Sequence, residues 1–138
     1  MSSVPFHYLD LRAFCYETEA DERVESALRY FLPEDADVQR AENRGHNGDR
    51  IVVFSARVEL ADDVRYVLER LRDGADIERL RDELDDRVTE NCEFFAHLDK
   101  QAAFEGEAEL GDGISLRGKV EAYPAKREAA LENAREAL

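Results

Sequence analysis

Lysine is close to absent from this chain, and so are several features that would place it in a class at once. Among 138 residues with 33 Asp and Glu, the 19 Lys and Arg include lysine only at positions 100, 119 and 126. No apolar run approaches the roughly 18 residues that suggest a membrane-spanning helix. Asp10 and Arg12 interrupt the N-terminal stretch before an apolar signal region can form, so no signal peptide is expected. G-x-S-x-G, Walker, GxGxxG and CxxC patterns are all missing, which leaves no positive sign of catalysis and no expected cofactor. The two cysteines, Cys15 and Cys92, fall on apolar strand faces. They read as buried free thiols in a reducing cytoplasm, not as a disulfide.

What is present is acid. The formal charge is −14 and the isoelectric point near 4.6, yet 43% of residues are hydrophobic and the carboxylates are spread along the chain. That is a foldable composition, not a disordered acidic tail. Spread carboxylates with Arg in place of Lys suit a cytosol of molar salt, where self-repulsion is screened within about 3 Å. An extreme halophile is the expected source, so the acidity describes the solvent more than the partner.

Periodicity predicts one α+β domain over 1–138 with the order βαββααβββα and a mixed sheet covered by helices. Leu9, Leu11, Ala13 and Cys15 mark one face of a strand over 6–16, with Phe6, Tyr8, Asp10, Arg12, Phe14 and Tyr16 on the other. Thr18 and Asp21 are spaced as a cap pair for a helix through Val24, Ala27, Leu28 and Phe31, stopped by Pro33. A thin strand signal at 37–43, a turn at Gly45-His46-Asn47-Gly48-Asp49 and a strong strand at 50–60 follow. Asp62 or Asp63 can cap the next helix, with Val64, Val67, Leu68 and Leu71 inside and Gly74 at its end. Ile77, Leu80, Leu84 and Val88 give a third helix, and Cys92, Phe94, Ala96 and Leu98 a strand. Segments 107–110 and 114–122 read as a hairpin, and Pro124 opens a last helix with Ala130, Leu131, Ala134 and Leu138.

His7, His46 and His97 invite a metal site, but none stands in a ligand spacing. Gly45-His46-Asn47-Gly48 fits the GxxG by which KH domains clamp a nucleic-acid backbone, although strands rather than helices flank it. A plain hairpin turn, which requires no function, is the favoured reading, though exposed glycines flanked by Arg44 and Arg50 could approach phosphates. The late segment says more. From Ile114 to Arg127, Arg117, Lys119, Lys126 and Arg127 face only Glu121. Arg117 and Lys119 share a strand face, with Tyr123 continuing their row, while Lys100 and Gln101 precede them and Arg12 lies among aromatics on the first strand. Cations interleaved with rings suit single-stranded RNA, and in molar salt stacking at about 1–3 kcal/mol per base outweighs charge. The bland alternative puts Phe6, Phe14 and Phe104 in the core and pairs the cations with surface acids.

The chain resembles an archaeal family of RNA-binding proteins and predicted exosome subunits. The resemblance lies in Arg12-Ala13-Phe14-Cys15 with Thr18-Glu19, in Gly45-His46-Asn47-Gly48, in Leu98-Asp99-Lys100-Gln101-Ala102-Ala103-Phe104-Glu105-Gly106, and in Lys119-Val120-Glu121-Ala122-Tyr123-Pro124-Ala125-Lys126-Arg127. It implies a fold like ribosomal protein L5 and a non-catalytic role in RNA processing or degradation. The expected RNA-binding residues are Arg12, Gly45, Gly48, Lys100, Gln101, Arg117, Lys119, Tyr123, Lys126 and Arg127, with Lys100, Gln101, Arg117 and Lys119 close together on one face. A protein–protein adaptor is the competing reading, and a metal-dependent hydrolase ranks below both. The charge pattern carries its own test: thermal melts in increasing KCl should show a rising midpoint, whereas a flat response contradicts the halophilic reading.

Overall fold

The computed structural model describes residues 4–138. Strict alternation makes the first strand, β1 (Phe6–Tyr16), the axis of the molecule. Leu9, Leu11, Ala13 and Cys15 are buried on one side, while Asp10, Arg12, Phe14 and Tyr16 face away from that core. The chain continues through α1 (Asp21–Arg29), β2 (Gln39–Arg44), β3 (Arg50–Val58), α2 (Ala61–Arg72), α3 (Ile77–Asp82) and α4 (Leu84–Arg87). It ends with β4 (Glu93–Asp99), α5 (Lys100–Phe104), β5 (Gly113–Val120) and α6 (Arg127–Ala137).

The fold is α+β, as expected, with one five-stranded sheet ordered β2-β3-β1-β5-β4. The sheet is not mixed: every neighbouring pair is antiparallel. The crossover through α1 carries β2 past the position beside β1, and the β2–β3 hairpin then lays β3 there. β1 and β2 thus run parallel but never touch. A single apolar cluster joins the inner sheet face to α1, α2, α3, α4 and α6. Phe31, Phe54 and Phe94 are among its least accessible side chains. Each such buried side chain contributes on the order of 1.5–3 kcal/mol.

Several local expectations fail, each for a visible reason. Neither helix is capped by the expected side chain, because Ala20 and Leu60 hold the N-cap positions. Asp21 is instead engaged by Arg40 and Arg50, and Asp62 by Arg65. The strand predicted to reach Leu60 stops at Val58, leaving Leu60 exposed. The third helix breaks at Glu83 into α3 and α4, which frees Val88 to bridge Phe94 while staying buried. Cys92 is not on a strand but in the turn before β4 with φ of 61°. Both thiols are free and buried.

The 107–110 strand reduces to one bridge between Leu98 and Leu110, closed by the Asp99 N–H on the Glu109 carbonyl (2.8 Å) and the Gly111 N–H on the His97 carbonyl (3.0 Å), while the Leu110 N–H, turned away from β4, donates to Asp76 Oδ2 at 2.8 Å. β5 therefore pairs with β4 across α5. Pro124 does not open the last helix: Lys126 N–H closes a turn on the Pro124 carbonyl (2.7 Å), and α6 begins at Arg127. Phe6 leaves its predicted face because the register slips between Phe6 and Tyr8. The irregularity turns Phe6 into the core, edge-on to Phe94 at 6.1 Å.

Close strand packing needs glycine on the inner face of β5. A Cβ at Gly118 would lie 2.4 Å from Leu9 Cδ2 and 3.0 Å from Phe6 Cδ1. Gly118→Ala should destabilise the fold by about 1–3 kcal/mol, read as a lower urea midpoint; an unchanged midpoint would contradict this packing.

Candidate nucleic-acid interface

Helices cover one side of the sheet only. On the other side, alternate residues of all five strands remain half-buried or exposed: Ala41 on β2, Val53 and Ser55 on β3, Phe14 and Arg12 on β1, Ser115 and Arg117 on β5, and Phe95 and His97 on β4. Register sets their neighbours. Arg12 stands opposite Ser115, and Ser115 opposite His97, forming one row; Asp10, Arg117 and Phe95 form the next. In a chain of −14, this face carries Arg12, Arg57, Arg117 and Lys119 against Asp10, Glu93 and Asp99. Two of those acids are occupied: Arg57 binds both oxygens of Asp10 at 2.7 and 2.8 Å, and Asp99 caps α5 through the Ala102 N–H at 3.0 Å.

Arg12 and Arg117 stand out by having no partner. Of all 19 cations, only Arg12, Arg72, Arg117 and Lys126 make no side-chain hydrogen bond, ion pair or ring contact with the described residues. Arg12 and Arg117 are diagonal neighbours across β1 and β5, about 7–8 Å apart at Cα. Between them and β4 lies a depression of 220 Å³ lined by Asp10, Arg12, Phe95, His97, Ser115 and Arg117. Phe95, His97, Ser115 and Arg57 were missed as site residues. Their signal was the same alternation that marked β4 as Phe94, Ala96 and Leu98, read on its polar side.

The expected cluster of Lys100, Gln101, Arg117 and Lys119 does not form. Asp99 pairs with Gly113 and Glu93 with Lys119, so Lys100 and Lys119 sit at opposite ends of the sheet, roughly 20 Å apart by strand rise. Lys100 is a clasp: its ammonium donates to the Phe14 carbonyl (2.6 Å) and Glu19 Oε1 (2.7 Å), and lies 5.3 Å from the Tyr16 ring centre. Gly113, at φ 106°, makes room for it, since a Cβ there would come within 2.7 Å of Lys100 Cβ. Gln101 is exposed and bonds Glu105. Lys119 donates to the Asn91 carbonyl, and Arg127 to the carbonyls of Val88 and Asp85.

Tyr123 leaves the Lys119 row because β5 ends at Val120. It is fully exposed at the rim of a 520 Å³ groove between α2 and α6, on the helix side, which Glu121 and Glu136 also line. That groove is larger than the sheet depression but mixes both charge signs, with Arg65 and Arg72 beside those acids. Gly45 and Gly48 close the β2–β3 hairpin, Gly48 at φ 83°, and the Arg44 guanidinium donates to the Gly48 carbonyl at 3.1 Å. His7, His46 and His97 lie on β1, in that turn and on β4. Among the described residues no group of three or more metal-type side chains assembles, and no helix is long and apolar enough to cross a membrane.

Burial pushes the Glu19 carboxyl up, but hydrogen bonds from Lys100 and the Tyr16 N–H together hold it below the usual range. A depressed carboxyl adds stability above its unfolded value and loses it as pH falls through the folded one. Lys100→Met should cost about 1–3 kcal/mol near neutral pH. The gap from wild type should narrow as pH drops through the carboxylate range; a pH-independent gap would contradict the pairing. The Cys15 thiol is pushed up by burial and by donating to Asp21.

Comparison with known proteins gives the family and the fold. An RNA-binding protein of Pyrococcus abyssi is 33% identical over 143 residues, covering 96% of this chain and 93% of its own length. A DUF54 protein from Methanothermobacter thermautotrophicus superposes with a TM-score of 0.82 at 40% identity, over 96% of this chain and 98% of the other. A structure from Archaeoglobus fulgidus gives 0.84 at 26%, over 96% and 99%. A family model described as RNA binding matches residues 8–120, from the start of the open sheet face to the end of β5, and the chain belongs to that family.

Proposed function

We propose that the protein binds single-stranded RNA across the uncovered face of its sheet, without catalysing a reaction on it. The observation that carries this reading is the pair of unpartnered guanidiniums, Arg12 and Arg117, beside Phe95 in a chain where acids outnumber bases. An unpaired cation is the exception in such a chain, and two side by side on an open face suit phosphates. Phe14 and Phe95 offer rings on the same face, and a flat antiparallel surface presents them to unstacked bases. The RNA-binding name of the Pyrococcus abyssi relative and the family assignment support RNA binding itself. The resemblance to archaeal RNA-binding proteins and predicted exosome subunits adds an accessory role in RNA processing or exosome-type degradation, with processing proteins as partners, and the acidic, lysine-poor composition adds a halophilic source.

Lys119 extends the cationic face at one end; Lys100, Gln101 and the Gly45–Gly48 turn border the other. Lys126, Arg127 and Tyr123 lie beyond the face and contribute only if the strand rounds the sheet end. The adaptor reading draws on one feature, the fully exposed Tyr123 over the α2–α6 groove.

Fluorescence anisotropy with a single-stranded RNA decamer pool tests the proposal at low and at molar KCl. Phe95→Ala and Phe14→Ala should each weaken binding at molar salt by about 1–3 kcal/mol. Arg12→Ala and Arg117→Ala should act chiefly at lower salt. Loss of binding in Tyr123→Ala alone would move the interface to the groove, and no binding by folded wild type at either salt would favour the adaptor.

A further inference from the structure

Register places Asp10 directly opposite two arginines at once, Arg57 on β3 and Arg117 on β5. Facing pairs in an antiparallel ladder are separated by only about 4.5–5.5 Å at Cα, so both guanidiniums can reach the same carboxylate. Only Arg57 does. Its Nε and Nη2 take the two oxygens at 2.7 and 2.8 Å, and its guanidinium lies 4.0 Å from the centre of the Tyr8 ring. A fork-shaped contact to both oxygens, braced by a ring, takes one lone pair of each oxygen and offsets the charge of the carboxylate, which weakens its pull on a second guanidinium. Arg117, on the other side of the same residue, is left with no partner among the described residues.

That arrangement bears on the depression beside it. Asp10 forms part of its wall, together with Arg12, Phe95, His97, Ser115 and Arg117. A free carboxylate there would repel a phosphate and attract Arg117. With its charge matched from the β3 side, the wall carries two unpaired arginines, a ring and two small polar groups. At 220 Å³ the space falls below that of a drug-sized pocket, and suits one base with its flanking phosphates.

We propose that Arg57 keeps Arg117 available by withholding Asp10, and that the depression is the seat of one unstacked nucleotide, its base against Phe95 and its adjoining phosphates on Arg12 and Arg117. This rests on the RNA-binding reading above. Arg57 is a positioning residue: it acts on the nucleotide through Asp10.

The test compares wild type, Arg57→Ala, Asp10→Asn and the double variant Arg57→Ala/Asp10→Asn for binding a single-stranded RNA decamer over a range of KCl concentrations. In Arg57→Ala the freed Asp10 captures Arg117, so affinity should fall roughly tenfold, the scale of one charge-assisted hydrogen bond. The slope of log affinity on log salt should shrink by about 0.7, one phosphate contact to a single strand. The double variant should recover wild-type affinity and slope, because no carboxylate remains to capture Arg117.

A double variant as weak as Arg57→Ala would overturn the proposal and make Arg57 itself an RNA contact. Unfolding in urea supplies a readout without RNA: a double-mutant cycle of Asp10→Asn and Arg117→Ala should show coupling in the Arg57→Ala background and none in wild type. Absence of that new coupling would overturn the proposal even if RNA binds. Failure of wild type to bind RNA would instead remove the functional reading and the seat with it, while the cycle still decides whether Arg57 withholds Asp10.

Discussion

An antiparallel sheet covered on a single side sorts every strand residue by parity, and β1 is where that sorting governs the rest of the molecule. Its position between β3 and β5 commits Leu9, Leu11, Ala13 and Cys15 to the helices and leaves Asp10, Arg12 and Phe14 facing outward. A shift of one residue would exchange the two sets and destroy core and face together. The register slip near Phe6 shows how local such an exception must be: one aromatic turns inward, and alternation resumes at once. Gly118 leaves room for Leu9 and Phe6 against β5, so no Cβ crowds the ladder that aligns Asp10 with Arg117.

Charge gives the uncovered face its character. With 33 acids to 19 bases, most cations are drawn into pairs on the helix side and at the rims, such as Arg40 and Arg50 on Asp21 or Lys100 on Glu19. These exposed pairs add little stability individually. Their consequence lies in which cations they leave over. On the open face the local acids are few and two of the three, Asp10 and Asp99, are occupied, so Arg12 and Arg117 stay free beside Phe95. A globally acidic protein can in this way keep a cationic, aromatic surface where stacking supplies affinity that salt does not screen.

Much of this was legible in the sequence because period-two alternation survives any tertiary context. β1, β3 and β4 were recognisable by their apolar faces, as was α2 by Val64, Val67, Leu68 and Leu71. What escaped depended on partners distant in sequence. Asp21 looked like a cap but is held by Arg40 and Arg50; segment 107–110 looked like a strand but keeps only the bridge of Leu110 to Leu98. On the open face, Arg12 and Arg117 are the two sequence candidates left without a side-chain partner, while Lys100, the most conspicuous residue in the sequence, is a clasp on Phe14 and Glu19. A scarce residue type drew attention to itself, but only register shows which cation lacks an acid. Phe95 and His97 went unnoticed because β4 was read for its core face alone.

Backbone and side-chain chemical-shift mapping during titration with single-stranded RNA tests the central claim most directly. The account predicts that the shifts concentrate on Arg12, Phe14, Phe95, His97, Ser115 and Arg117, with α2 and α6 unaffected. Shifts gathered instead around Tyr123, Arg72 and Asn133 in the α2–α6 groove, with the sheet face silent, would contradict it.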